Sequence, residues 1–331
     1  MERLQLQLVV REHCPEAEQT VDLRHWFLCF SADIVSRFVL GTSLDCLDRV
    51  SRIFYWASLF DCLDSLGLTN IFQRALRLFF SEKNAKLQAS RDEAILGSME
   101  HLDTNRLDAV AAAVRQLDPS PQMKNELLGH VQSILLGGTD PMTTALTSIV
   151  HYTLQSPQTH AKLKAEIRSS LTSFDSLTVQ QANDLPYLNA VIKETLRIYP
   201  PVATVLPRKS PGAVVDGTYI PPDVHVSSCM LAIHHNPTYF SEPDKFIPER
   251  WLDGGTGDNL EASQPFSIGP RGCIGKHLAT FSLQYTVIAL FLKFDMQCNE
   301  APCDWPKRNK NYSTWITPSL YVSLRERKPH F

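Results

Sequence analysis

The run Phe266-Ser267-Ile268-Gly269-Pro270-Arg271-Gly272-Cys273-Ile274-Gly275 decides how the rest of this chain is read, and a helix-like stretch from Lys276 to Tyr285 follows it. Gly269, Gly272 and Gly275 carry no Cβ, so the loop can take left-handed angles and approach a flat ligand closely. The loop presents one cysteine, Cys273, where the next helix is expected to begin. A sulfur at a helix N-terminus faces unpaired N–H groups and the positive end of the helix dipole, which favours the thiolate over the thiol. Thiolates bind iron. The competing reading is a glycine-rich surface turn with an inert cysteine.

Phe266, Gly269, Arg271, Cys273 and Gly275 occupy the fixed positions of the pattern Phe-x-x-Gly-x-Arg-x-Cys-x-Gly, and on that match the chain resembles a cytochrome P-450. The resemblance implies a mainly α fold with a small β-sheet, holding heme b through an axial thiolate from Cys273. The electron-rich sulfur of such a site favours O–O bond cleavage. It further implies that Arg271 reaches a heme propionate and that Phe266 lies against the sulfur side of the macrocycle, with Gly269 and Gly275 in the same cofactor loop. Arg208, in Leu206-Pro207-Arg208, resembles a second arginine directed at a propionate; a lone arginine at a strand end is otherwise solvated.

Composition is compatible with a large buried core. The chain has 331 residues, 44% of them hydrophobic, and a net charge of −3. Its 32 lysines and arginines are scattered, so nothing marks a nucleic-acid footprint and that class is set aside. The eight cysteines, at 14, 29, 46, 62, 229, 273, 298 and 303, form no CxxC or zinc spacing and read as reduced thiols. No run of 18 apolar residues appears, and the start lacks the layout of a signal peptide. Against the family pattern, the first helices, the first strands and a transmembrane anchor are expected to be missing. The reading is one N-terminally truncated domain over 1–331. Full-length relatives would sit in the endoplasmic reticulum membrane, and this chain would be cytoplasmic or peripheral.

Working backward from the loop, residues 22–41 read as a helix, with Asp22 as a cap, Gly41 beyond its end, and an apolar stripe through Leu23, Trp26, Phe27, Phe30, Ile34 and Phe38. Segments 47–66, 69–97 and 104–117 also carry helical periodicity, with Ile71, Leu76, Phe79 and Phe80 as anchors in the second. Bundle packing accounts for them, and the resemblance would make them the roof of a substrate chamber.

Ser120-Pro121 opens a long helix in the cap-then-N1 order, and Ser156-Pro157 stops it. Roughly thirty-five residues would span about 50 Å, enough to cross a large domain. An interruption and kink are expected at Gly137-Gly138-Thr139-Asp140-Pro141, because proline lacks the N–H and clashes with a carbonyl one turn back. Gly137, Gly138 and Asp140 match the family's oxygen-activating pattern Ala/Gly-Gly-x-Asp/Glu-Thr, making Gly138 and Asp140 the catalytic candidates. Pro141 replaces the threonine and cannot donate a hydrogen bond or hold a water for proton delivery. Thr143 or Thr144 could supply that hydroxyl, or could simply pack or bond back to a carbonyl. Asp140 could equally cap the half-helix after the break.

Asp184 to Pro201 has helical spacing and ends at Pro200-Pro201. Glu194 and Arg197 lie three apart and share a face. The resemblance joins them to Arg250, in Pro248-Glu249-Arg250, as a buried ionic network of structural rather than catalytic role. Residues 202–232 read as short strands broken at Ser210-Pro211-Gly212, Asp216-Gly217 and Pro221-Pro222-Asp223. His234-His235 lacks a carboxylate at ligand spacing and reads as a helix end. Residues 252–263 read as a loop, the helix after Cys273 runs to about Phe294, and Trp315–Leu324 alternates like a hairpin strand.

The function these residues imply by resemblance is insertion of one oxygen atom from O2 into a small apolar organic substrate, with electrons from an NADPH-cytochrome reductase. The texture of the Cys273 loop resembles the fungal secondary-metabolism branch. Pro141 motivates a second reading, a heme enzyme that is peroxide-dependent, an isomerase or a dehydratase. A third reading is an inactive truncated remnant.

Overall fold

A computed structural model describes residues 19–49, apart from 42 and 45, and residues 121–327, apart from 172, 175, 176, 205, 299–304, 312 and 313. The helices expected at 69–97 and 104–117, and nearly all of that at 47–66, lie outside these residues, as do Cys14, Cys62 and Cys303. The chain divides into two compact units, one built on residues 28–139 and the other on 10–27 with 140–331.

Strand β1, Gln19–Asp22, runs directly into helix α1, Leu23–Leu40, which stops at Gly41, a left-handed residue with φ 71°. Asp22 is the last residue of the strand, and its carboxylate accepts the Leu320 N–H at 3.1 Å. The expected apolar stripe holds at Leu23 and Phe27, which are buried, and is displaced further along. Phe38 is 48% exposed, whereas Ala32, Val35 and Val39 are buried together with Ser31, Asp33 and Ser36. Two of these polar residues serve as acceptors inside: Ser36 Oγ accepts the Leu44 N–H at 3.1 Å, and the Asp33 carboxylate accepts the N–H groups of Cys46 and Leu47 at 2.8 and 3.0 Å. That satisfies two orphan donors at the start of the short helix α2, Cys46–Arg49.

Helix α3, Pro121–Gln155, has the expected length and contains Pro141, but it is continuous rather than interrupted there. One missing N–H is a local loss, and burial of Met142, Ala145, Leu146, Ile149 and Val150 on the following turns outweighs it. Helix α4, Pro157–Ser170, begins at once, its Ser156 cap accepting the Thr159 N–H at 3.3 Å. A capping box on Thr178 and Gln181 starts α5, Val179–Asn183.

Helix α6, Pro186–Ile198, is buried nearly all round, from Tyr187 and Leu188 to Leu196 and Ile198. It packs against α4, against the 3-10 turn Pro248–Trp251, and against the helix that follows Cys273. It is the axis of the larger unit.

Strands β2, Arg208–Val215, and β3, Thr218–Val226, form an antiparallel hairpin turning at Asp216-Gly217, both with positive φ. The other two expected breaks lie inside the strands. Ser210-Pro211-Gly212 makes a bulge, and Pro222 pairs with Pro211. A two-stranded ladder has free edges on both sides, so proline costs it little. Helix α7, Met230–His234, follows. Helix α8, Lys276–Lys293, passes directly into β4, Phe294–Cys298. A four-residue helix α9, Trp305–Arg308, carries the fully buried Trp305 and had no sequence signal.

The stretch Trp315–Leu324 is two strands rather than one. Of these, β6, Trp315–Ile316, pairs with β5, Lys310–Asn311, while β7, Tyr321–Glu326, lies between β1 and β4 in an antiparallel sheet. Pro318 stands between the two pieces. Val21 faces Val322, and Met296 faces Leu324.

Candidate functional site

The last turn of α6 places Glu194 and Arg197 on one buried face, both 0% exposed. Arg197 grips the Glu194 carboxylate with two parallel bonds, from Nε at 2.9 Å and Nη2 at 2.8 Å. The 3-10 turn Pro248–Trp251 brings Arg250 Nε to the same carboxylate at 3.2 Å, and Trp251 Nε1 and the Ile247 N–H donate to it at 3.0 Å each. The spare donors of Arg197 reach the carbonyls of His234, Pro243 and Lys245, at 2.7, 2.8 and 3.1 Å. Arg250 donates to the Glu242 carbonyl at 2.9 Å and forms a close ion pair with Asp258. Burial alone would raise the Asp258 carboxyl, but hydrogen bonds from the Ser241 N–H, Thr256 and Arg250 outweigh it and hold the group well below the usual carboxylate range. Two guanidiniums and two carboxylates thus meet with no net charge.

His234, the last residue of α7, is fully buried beside this cluster. Its Nε2 accepts the N–H of Gln264 at 3.1 Å, so the proton sits on Nδ1, which faces the Arg197 carbonyl at 2.9 Å. Burial, with the Arg197 charge adding to it, pushes the imidazole down to about 4 against the raising effect of that carbonyl. Next to it, His235 lies 2.8 Å from Asp244 and 2.9 Å from the Ile198 carbonyl.

Gln264 leads into the cysteine loop. The loop closes on itself through Ser267 N–H to the Gln264 carbonyl at 2.8 Å, Gly272 N–H to Gly269 at 2.9 Å and Cys273 N–H to Phe266 at 2.8 Å. Ser267 and Gly269 both take left-handed angles, φ 57° and 72°; for Gly269 the missing Cβ makes that free, for Ser267 it does not. Cys273 stands two residues before Gly275, the cap of α8, rather than at the helix's first residue. A 3-10 turn over Gly269–Arg271 precedes the cysteine.

The Cys273 thiol and Arg271 are exposed, flanked by Ile268 at 70% and Ile274 at 98% exposure. Phe266 is half-buried. A single soft donor holds a metal well when the metal brings its other ligands, and bare isoleucines beside it suit an apolar, flat group with an anionic edge for the arginine. The loop therefore fits heme. Arg208 opens β2, exposed, and donates to the neighbouring Pro207 carbonyl at 2.9 Å.

On α3, Asp140 is half-buried, and burial pushes its carboxyl up to about 6 against the opposing charge of Arg24. Arg24 Nε donates to Thr317 Oγ1 at 2.9 Å. Thr143 and Thr144 are buried, and their carbonyls accept the hydroxyls of Thr147 and Ser148 at 2.6 and 2.7 Å. Gly138 is a contact residue. A Cβ there would lie 2.7 Å from Val35 Cγ2, whereas at Gly137 it would meet open space.

His234 ends its helix as expected, but sequence reasoning missed Asp258 altogether and missed the place of His234 beside the ionic cluster. Asp258 lies in a Gly- and Asp-rich loop with nothing to single it out, and His234 makes its bonds to backbone groups, which leave no mark in side-chain spacing.

The cytochrome P-450 family model matches residues 4–324. The chain is 32% identical over 332 residues to the trichothecene C-15 hydroxylase of Fusarium sporotrichioides, covering 95% of this chain and 67% of that protein. It is 30% identical to cytochrome P-450 monooxygenases named ORF9 in Penicillium roqueforti, over 91% of this chain, and BOT4 in Botryotinia fuckeliana, over 95%. The chain spans 61% of the length of each of those two. The crystal structure of the cytochrome P-450DA heme domain shares the fold, with a TM-score of 0.79 at 19% identity, covering 98% of this chain and 72% of that one. Among the described residues, no helix is long and apolar enough to cross a membrane.

Proposed function

The chain belongs to the cytochrome P-450 family, and from that premise we propose that it is a heme-thiolate monooxygenase that inserts one oxygen atom from O2 into an apolar organic substrate of fungal secondary metabolism. The observation that carries the reading is the exposed Cys273 thiol in a self-closed loop flanked by bare Ile268 and Ile274. Heme, when bound, supplies reductive oxygen chemistry, and an NADPH-cytochrome reductase supplies the electrons. Cys273 would hold the heme iron through its thiolate. Arg271 would pair with a propionate, and Phe266, Gly269 and Gly275 shape the loop around the sulfur. Arg208 would be a second propionate partner. Asp140, raised to about 6, is mostly ionised at pH 7 but close enough to neutral to take up and give back a proton. The buried network of Glu194, Arg197 and Arg250 holds the frame.

The chain expressed as given, reconstituted with heme, reduced and exposed to carbon monoxide is expected to show a thiolate-type Soret band. Cys273→Ser abolishes it. A band unchanged in that variant overturns the reading.

Pro141 favours a second reading, in which the heme serves peroxide-dependent, isomerase or dehydratase chemistry, because proline offers no hydroxyl at that turn. Coupling of NADPH consumption to product decides between the two. Tight coupling excludes the second.

A further inference from the structure

We propose that His234 is a positioning residue that ties the cysteine loop to the buried ionic network, fixing the incoming end of the loop and with it the direction in which Cys273 presents its sulfur. The inference rests on the heme-thiolate reading of Cys273.

The geometry is a reciprocal clasp. Arg197 Nη1 donates to the His234 carbonyl at 2.7 Å, while His234 Nδ1–H donates to the Arg197 carbonyl at 2.9 Å. Each residue holds the other's backbone with its side chain, so the imidazole plane is set by a group that is itself locked by Glu194. The free ring nitrogen then takes the Gln264 N–H at 3.1 Å. Gln264 is the residue whose carbonyl accepts the Ser267 N–H, and Phe266, two residues on, accepts the N–H of Cys273. The path from the Glu194 carboxylate to the Cys273 backbone is therefore a chain of hydrogen bonds and short covalent steps. Ser267 adds a reason for such a tether. Its left-handed backbone is unfavourable for a residue with a Cβ, and a strained turn persists where its ends are held.

The role demands one tautomer, Nδ1–H with a bare Nε2, and the two ring nitrogens have separable tasks. Asparagine places its amide near the Nδ1 position and glutamine near the Nε2 position. His234→Asn therefore keeps the bond to Arg197 and drops Gln264, while His234→Gln keeps an acceptor for Gln264 and drops Arg197. The full chain is compared as wild type and both variants, by amide hydrogen exchange over residues 264–273 and by the carbon monoxide spectrum after heme loading. His234→Asn is expected to speed exchange at Gln264 and Ser267 by about tenfold or more and to replace the thiolate-type band by a neutral-thiol one. His234→Gln keeps the loop's acceptor and the backbone bond from Arg197 but loses the bond that orients the side chain, so it is expected to fall between wild type and His234→Asn in both. Equal loss in the two variants, or wild-type exchange in His234→Asn, overturns the proposal.

Should His234→Asn fail to fold, the imidazole 15N shifts of the wild-type chain decide. Nδ1–H with a bare Nε2 supports the clasp, and Nε2–H refutes it. Loss of the thiolate band in wild type itself would sink the heme-thiolate reading, while exchange at Gln264 would still report on the clasp.

Discussion

Replacing Glu194 by alanine removes the acceptor of five hydrogen bonds, two from Arg197 and one each from Arg250, Ile247 and Trp251. Both arginines are then left buried without that carboxylate. Breaking one side of a buried pair costs about 3–5 kcal/mol. Arg197 retains the carbonyls of His234, Pro243 and Lys245, and Arg250 retains Asp258, which places the expected loss toward the lower end. A loss of about 3 kcal/mol is about a 10²-fold fall in the folded-to-unfolded ratio. Urea midpoints of wild type, Glu194→Ala, Arg250→Met and the double variant measure it. Because the two residues share one carboxylate, the double variant should lose at least about 1 kcal/mol less than the sum of the singles. Glu194→Ala should also fail to load heme. Additivity within about 0.5 kcal/mol, or a normal heme yield in Glu194→Ala, would refute the network.

Gly137→Ala should stabilise the chain by about 0.5–1 kcal/mol, the ordinary helix gain, because its Cβ meets open space. Gly138→Ala should cost about 1–3 kcal/mol through its clash with Val35, and Gly138→Ala with Val35→Ala should recover the overpacking part, all read by thermal or urea unfolding. Ser267→Gly should be neutral or stabilising, whereas the β-branched Ser267→Val should lose about 1–2 kcal/mol and thiolate ligation, because φ 57° disfavours a Cβ. For Asp140 the folded carboxyl, at about 6, binds its proton more tightly than the unfolded one at 3.8. Its contribution to stability is thus greatest below the unfolded value and is lost as pH rises toward 6. Asp140→Asn should therefore gain on wild type between pH 4 and 7 in a urea titration, and a difference that stays flat with pH would count against a raised carboxyl.

The parts of the fold that were legible are those written in local pattern. Proline at N1 and serine before proline located both ends of α3, and Asp216-Gly217 located the hairpin turn. What misled was reading one face or one breaker in isolation. The Phe30, Ile34 and Phe38 stripe looked like the core side of α1, but Asp33 and Ser36 turn inward because the chain at Leu44, Cys46 and Leu47 needs acceptors. Pro141 looked like a break, yet buried packing on both sides carries the helix through it. In the site, Glu194, Arg197 and Arg250 could be named because their types and order are recognisable. Asp258 could not, since it sits in an unpatterned loop, and His234 could be read only as a helix end, since its partners are the Arg197 carbonyl and the Gln264 N–H of the backbone.

Burying two arginines against two carboxylates is weak as a means of stabilisation, because desolvation cancels most of the attraction and an apolar cluster of equal volume would serve as well. The arrangement does something an apolar cluster cannot. Each guanidinium is a planar fork with fixed directions, and together they bind the carbonyls of His234, Glu242, Pro243 and Lys245 and the side chains of Ser241 and Asp258. Four stretches of chain with few apolar residues, 234–236, 241–247, 250–251 and 258, are thereby given one geometry relative to α6. The irregular stretch that leads to Phe266 would otherwise have little besides turn hydrogen bonds to define it. A metal ligand needs its direction fixed more tightly than its depth, and directional bonds supply that where a hydrophobic contact does not. On the heme-thiolate reading proposed for Cys273, the charge cluster would be the part that sets the angle of the sulfur, with its energetic worth close to neutral.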